Sequence, residues 1–293
     1  MDLTKLKIAV IVNTASGGCS EESMDEIRTI FQENGLALAY AWCGNTNDLE
    51  HAFAEVWDKK MDVLVVLGGD GTIRSAARRS SKERPYLVPL PGGTMNVLPH
   101  ALYGEGSWQE VLRNTLQNPE LKEISGGEVN GERFFISAIC GAPALWAHAR
   151  EAWRERNIGN AIEFGKVALD TMSTLKIHYY FNEMHEGDAE AVTVTCPLIA
   201  STLEEDRQVL EAAIIDIEGA GEMFEIVTAA ALGQWRDAKN IAIVRTQEIQ
   251  VSSRKNVPIL LDGEPVEIGR DATIRFLPNA FTALVPSNNA LLS

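Results

Sequence analysis

The residues best suited to chemistry are Gly68-Gly69-Asp70-Gly71-Thr72, which follow the apolar run Val63-Leu64-Val65-Val66-Leu67 directly. Glycines let a backbone turn tightly and approach a ligand closely. A helix starting after the turn offers unpaired N–H groups and a positive dipole end to phosphate. Asp70, at the carboxyl end of a buried strand, could hold Mg2+ directly or through water. The plainer alternative is a tight strand-to-helix turn with Asp70 as its cap. A second glycine turn, Pro91-Gly92-Gly93-Thr94-Met95-Asn96, ends the next strand-like run. On adjacent parallel strands both turns reach the same sheet edge, where open α/β folds bind ligands. No GxxxxGK[ST] loop occurs, and neither Gly104-Glu105-Gly106 nor Gly219-Ala220-Gly221 completes a GxGxxG fingerprint after a strand, so the anion site is of another type.

Positioning these turns requires a parallel sheet. Lys7 to Val12 is an apolar run ending in the turn-rich Asn13-Thr14-Ala15-Ser16-Gly17-Gly18, and Met24 to Asn34 has helical spacing at Met24, Ile27, Ile30 and Phe31. Leu36 to Trp42 reads as a strand, Asp48 to Lys59 as a helix with Leu49, Ala52, Phe53 and Val56 inward, and Val63 to Leu67 as a fully apolar strand. Apolar strands alternating with helices predict a parallel sheet covered on both faces. The pattern continues with a helix over Ile73 to Ser80, a strand over Tyr86 to Leu90, and helices after Asn96 and from Ser107 to Gln117.

Past about Glu123 the texture changes. Arg133 to Ile139, Leu175 to Phe181, Ala191 to Ile199, Phe224 to Ala230, Ile241 to Val244, Glu248 to Ser252, Thr273 to Phe276 and Thr282 to Val285 all look strand-like, several with alternation. A mainly antiparallel β-sandwich domain is expected over residues 125–293, with one helix from Ala144 to Arg156 and the last segment returning to the α/β domain of residues 1–124.

The 293 residues, 45% of them hydrophobic, suffice for two cores. A formal charge of -15 repels a phosphate backbone, which argues against nucleic acid, and it also opposes anionic membranes. Cys19, Cys43, Cys140 and Cys196 are far apart with no CxxC pair, as in a reduced cytosolic protein. No signal-peptide pattern or transmembrane-length run occurs, so a cytoplasmic location is expected. HExxH, GxSxG and zinc-like spacings are absent.

Two further features admit two readings each. Arg74, Arg78, Arg79, Lys82 and Arg84 form one basic cluster, with Arg74 and Arg78 on a shared helix face; it meets phosphates or headgroups, or is merely solvated. Leu145, Trp146, Ala149 and Trp153 form a stripe edged by Arg150, Arg154 and Arg156, which is either interfacial or core. Late in the chain, Asp262-Gly263-Glu264 reads locally as an exposed hairpin turn.

Asn13 with Ser16-Gly17-Gly18, then Gly68 to Thr72, Pro91 to Asn96 and Leu261-Asp262-Gly263-Glu264, resembles the bacterial diacylglycerol-kinase-like lipid kinases, related to sphingosine kinases and NAD kinases. The resemblance implies an NAD-kinase-like nucleotide-binding fold for the first domain, with ATP and Mg2+ as cofactors. It implies that Gly68, Gly69, Asp70, Gly71, Thr72 and Thr94 contact ATP phosphates, that Asn13 and Ser16 border the nucleotide, and that Asn96 belongs to the second turn of the site. Glu264 would be the general base, with Asp262 beside it and Asp70 organising metal and phosphates. The implied acceptor is a lipid or lipid-like hydroxyl lying between the domains, met through peripheral membrane contact; assembly into a homo-oligomer is left open. The chain departs from the family pattern at Arg74-Ser75, where Asn-Glu is usual, at Thr14 and near Ser125. A threonine usual at the end of the second strand falls around Trp42-Cys43, and no structural-metal loop is clear between Ser201 and Gly221. A non-catalytic nucleotide- or lipid-binding homologue and an NAD-kinase-like enzyme are the competing readings.

Overall fold

A computed structural model describes residues 1–145, 175–181, 185–200, 208–216 and 241–287. The chain divides into two compact units, Met1–Ser125 with Pro278–Ser293, and Gly126–Leu277.

The first unit alternates strand and helix: β1 (Ile8–Asn13), α1 (Glu21–Glu33), β2 (Leu38–Gly44), α2 (Leu49–Asp58), β3 (Val63–Gly68), α3 (Asp70–Arg79), β4 (Tyr86–Pro91), α4 (Val97–Tyr103) and α5 (Trp108–Gln117). The strands lie in the order β2-β1-β3-β4, all parallel. β1 and β3 are buried at every residue because helices cover both faces, which is why neither alternates in sequence. Met24, Ile27, Ile30 and Phe31 of α1 and Leu49, Ala52, Phe53 and Val56 of α2 are all buried, as their spacing predicts. α5 starts at a capping box in which Ser107 Oγ accepts from Glu110 N–H and Glu110 Oε2 accepts from Ser107 N–H at 3.1 Å.

Two of the boundaries that differ from the sequence expectation bear on the site. α3 begins at Asp70, three residues before the expected Ile73, because Gly69 takes the extended N-cap conformation and the glycine turn itself becomes the first helical turn. β2 runs to Gly44 because its pairing with β1 continues through Ile11↔Trp42, Val12↔Cys43 and Asn13↔Gly44.

From residue 119 the described residues are mostly strand. The elements are β5 (Pro119–Val129), β6 (Glu132–Phe134), β7 (Ser137–Gly141), β8 (Ile177–Phe181), β9 (His185–Ala189), β10 (Ala191–Thr195), β11 (Leu210–Ile215), β12 (Ile241–Thr246), β13 (Glu248–Ser252), β14 (Ile259–Leu261), β15 (Glu264–Val266) and β16 (Asp271–Pro286). In the second unit one antiparallel sheet has the order β12-β11-β10-β7-β14-β15. The first part of β16 continues into β13, β8 and β9, again antiparallel. Both sheets contribute to one apolar core, with Ala138, Cys140, Val192, Val194, Ala212 and Ile259 from the first and Ile177, Ile249, Val251 and Ile274 from the second.

Several strands were not legible in the sequence. β11 is Leu-Glu-Ala-Ala-Ile-Ile, helix-forming by composition, yet it is fully buried between β10 and β12, where pairing overrides propensity. The strands expected at Thr273 to Phe276 and Thr282 to Val285 are a single strand, β16, which continues through Pro278 and Asn279. The later part of β16 pairs in parallel with β4 through Ala283↔Leu87. Beyond Leu145, the helix expected to Arg156, including Trp146 and Trp153, lies outside the described residues, as does the strand expected over Phe224 to Ala230.

β5 was also unforeseen, since Gly126-Gly127 reads as a break, yet Gly127 pairs with Phe134. A Cβ at residue 127 would stand 2.1 Å from the Phe134 ring, which is fully buried. The glycine is there to admit the ring. Gly127→Ala is expected to cost about 1–3 kcal/mol of stability through overpacking. Chemical denaturation should show a lower midpoint at unchanged slope, partly restored by Phe134→Leu; a midpoint equal to the parent's would mean that the ring is not packed over the glycine.

Candidate functional site

Three turns leave the carboxyl ends of β1, β3 and β4 and are tied to one another. Ser16 Oγ accepts from Gly69 N–H at 2.8 Å, Gly92 O accepts from Gly18 N–H at 3.0 Å, and Gly68 O accepts from Gly92 N–H at 3.0 Å. Asn13 Nδ2 donates to Thr72 Oγ1 at 2.8 Å, while Asn13 Oδ1 accepts from Ala15 N–H at 3.1 Å. Asn96 holds the third turn closed from a left-handed backbone conformation, accepting from Gly93 N–H at 2.7 Å and donating to Gly93 O at 2.9 Å.

The glycines permit this contact. A Cβ on Gly93 would lie 2.6 Å from Gly69 Cα, and one on Gly92 would lie 2.4 Å from Cys19 Sγ and 2.8 Å from Gly68 N. No side chain fits between backbones that close. All nine residues expected at the nucleotide site, Asn13, Ser16, Gly68, Gly69, Asp70, Gly71, Thr72, Thr94 and Asn96, fall within these turns or their immediate ends. They divide by environment: Asn13, Thr72 and Asn96 are buried and spend their side chains on internal bonds, whereas Gly71 and Thr94 are exposed.

The open part of the site is the start of α3. The first intrahelical bond runs from Ile73 N–H to Gly69 O, so the N–H groups of Asp70, Gly71 and Thr72 precede it and are available to an anion. Oδ1 of Asp70 is buried and has no hydrogen-bond partner among the described residues. An orphaned carboxylate oxygen beside helix-start N–H groups suits a cation carried in by an anion. No cluster of three or more metal-ligating residues occurs among the described residues, so the arrangement is unlike an all-protein cage.

Cys19 was not anticipated, because an isolated cysteine carries no sequence signal. Its thiol donates to Gly92 O at 3.3 Å, and burial, with the nearby Cys43, pushes its pKa up to about 11. It therefore acts as a neutral packing group under the third turn.

The basic cluster is largely committed elsewhere. Arg79 is paired with Glu50 and lies over the Phe53 ring; Arg84 is paired with Asp62 and lies over Tyr86; Lys82 Nζ is 3.5 Å from Glu123. Arg74 is buried within α3.

In the second unit, Asp262 and Gly263 form the two-residue turn of the β14–β15 hairpin, both with positive φ, as Asp-Gly favours. The local reading of a hairpin turn is thus what the backbone adopts. The Asp262 carboxylate accepts from Phe135 N–H at 3.0 Å, Ile136 N–H at 2.8 Å and Ser137 N–H at 3.1 Å, and Asp262 N–H donates to Ser137 O at 2.8 Å. Asp262 anchors the turn to the β6–β7 connection. Glu264, paired with Leu261 across the hairpin, is exposed. Arg150, Arg154 and Arg156 lie outside the described residues, as does most of the segment from Ser201 to Gly221.

Residues 7–129 match the diacylglycerol kinase catalytic domain. The chain is 21% identical over 270 residues to a diacylglycerol kinase of Bacillus subtilis (strain 168), covering 87% of this chain and 88% of that one. Over 271 residues it is 22% identical to a diacylglycerol kinase of Staphylococcus saprophyticus, with the same coverage of 87% and 88%. Among solved structures, a diacylglycerol kinase from Bacillus anthracis str. Sterne superposes with a TM-score of 0.68 at 17% identity, covering 97% of this chain and 98% of that one. Residues 7–129 thus resemble a diacylglycerol kinase catalytic domain, and along most of its length the chain is similar to proteins named diacylglycerol kinase.

Proposed function

We propose that this protein transfers the γ-phosphoryl group of ATP to a hydroxyl of a lipid or lipid-like acceptor. The observation that carries the reading is the orphaned, buried Oδ1 of Asp70 in the first turn of α3, with the N–H groups of Asp70, Gly71 and Thr72 beside it. A helix start of this kind holds phosphate, and a single carboxylate is what Mg2+ arriving on a triphosphate needs from the protein. Mg2+, when bound, neutralises charge on the phosphate oxygens as the bond to the leaving group breaks. Asp70 would hold it, the glycine turns would cradle the phosphates, and Thr94 would add its exposed hydroxyl.

In this reading Glu264 is the general base. Its carboxylate takes the proton of the acceptor hydroxyl as the new O–P bond forms and the bond from the γ-phosphorus to the bridging oxygen breaks, releasing ADP. Asp262 is a positioning residue. By fixing the hairpin turn to the β6–β7 connection, it limits where the Glu264 backbone can go. No helix among the described residues is long and apolar enough to cross a membrane, so a lipid acceptor would be met from the membrane surface.

Asp70→Asn is expected to weaken Mg-ATP binding sharply while leaving the thermal unfolding transition in place, because Asp70 Oδ1 has no hydrogen-bond partner among the described residues. Calorimetric titration reads the effect, and parental Mg-ATP affinity and turnover in the folded variant would remove the metal from this turn. Glu264→Gln should lower kcat about 10²- to 10⁴-fold and leave ATP affinity nearly intact, since removing a general base affects chemistry and not the phosphate cradle. The assay is transfer of labelled phosphate from ATP to a panel of lipids, NAD and soluble polyols. Full kcat in the variant would leave Glu264 as a hairpin residue only, and ATP binding without transfer by the parent protein would favour the non-catalytic reading.

A further inference from the structure

We propose that Trp42 is the stacking platform for the nucleotide base, an inference that rests on the nucleotide site proposed above. β2 ends in Trp42-Cys43-Gly44, paired residue for residue with Ile11-Val12-Asn13 of β1. Residues two apart on a strand share a face, and residues paired across parallel strands point the same way. Trp42, Ile11, Gly44 and Asn13 therefore project from one side of the sheet. That is the side from which the Asn13 amide reaches Thr72 in the first turn of α3.

The indole is turned toward the carboxyl edge. Its Cζ2, Cε2 and Cη2 atoms lie 2.8, 3.2 and 3.3 Å from where a Cβ on Gly44 would stand, so the ring folds forward over Gly44 and any larger residue there would displace it. Gly44 O accepts from Thr14 N–H at 2.8 Å, which joins this corner to the loop carrying Ser16. Trp42 is half-buried and enters no hydrogen bond or ring stack among the described residues. A half-buried tryptophan with one side on glycine backbone, and no hydrogen bond or ring stack among the described residues, keeps aromatic surface and an N–H for a ligand.

The placement also suits the length of a nucleotide. β2 lies two strands from β3, about 10 Å at ordinary inter-strand spacing. Phosphates on the start of α3, directly after β3, would leave the base of an extended nucleotide over the β1 and β2 ends. Stacking on an indole does not depend on base identity, so the platform accepts purines generally and hydrogen-bonding groups elsewhere would choose between them.

Titration calorimetry with Mg-ATP and with Mg-tripolyphosphate, which carries the phosphates without the base, tests the assignment. The parent protein should bind ATP more tightly than tripolyphosphate. Trp42→Ala should weaken ATP, and GTP if it binds, by about 5- to 140-fold, leave tripolyphosphate unchanged, and be largely rescued in Trp42→Phe. Equal ATP affinity in Trp42→Ala and parent, with tripolyphosphate bound by both, overturns the role of Trp42 alone. Equal affinity of the parent for ATP and tripolyphosphate overturns it without any variant, whether or not Trp42→Ala folds. Failure of the parent to bind either ligand overturns the phosphate site itself.

Discussion

The close approach of Gly69 and Gly93 is the constraint on which the rest of the site depends. A Cβ on Gly93 would stand 2.6 Å from Gly69 Cα, so the turn after β4 can lie against the turn after β3 only if residue 93 is bare backbone, whereas a Cβ on Gly69 would meet nothing nearer than Ser16 Oγ at 3.5 Å. Once they touch, the bonds from Gly92 N–H to Gly68 O and from Gly18 N–H to Gly92 O draw in the loop after β1. The result is a rigid edge in which side chains such as Asn13, Ser16 and Asn96 serve as internal struts. Rigidity matters because N–H groups fixed in advance bind a phosphate without first losing the freedom of a mobile loop.

The same economy explains why so few groups at this edge are left for a ligand. Backbone donors at the start of α3, one orphaned carboxylate oxygen and one exposed threonine are the open polar features described there. Farther along the chain, Arg79, Lys82 and Arg84 have carboxylate partners of their own. For a chain of formal charge -15 this has a consequence: three of its clustered cations are already engaged and the surplus of acid is uncompensated. Attraction to an anionic membrane surface, which polybasic segments supply in other proteins, is not available from these residues.

In the second unit an equivalent anchoring job falls to one carboxylate. Asp262 accepts three consecutive backbone N–H groups from the β6–β7 connection, an arrangement close to saturating its two oxygens. Charge-assisted bonds of this kind are stronger than neutral ones, and losing them would leave three donors to find water or go unpaired. A hairpin turn that local preference alone would form is thereby fastened to a particular neighbouring turn, and Glu264 is carried with it.

The sequence by itself determined the parallel α/β order of the first unit, the inward faces of α1 and α2, and the two glycine turns, because each rests on periodicity or on a residue type whose backbone role is local. It could also pick out Asp-Gly as a hairpin turn, since positive φ at both positions is a property of those two residues. Tertiary structure decided the rest. That Gly127 admits Phe134, that β11 is a strand despite helix-forming residues, and that β16 runs unbroken through Pro278 and Asn279 all depend on partners distant in sequence. So do the contact between Gly69 and Gly93, the strut from Asn13 to Thr72, the neutral Cys19 beneath them and the forward fold of Trp42 over Gly44. Spacing along a chain reports which way a residue faces on its own element, whereas a site exists only where the ends of several elements are brought within hydrogen-bonding distance.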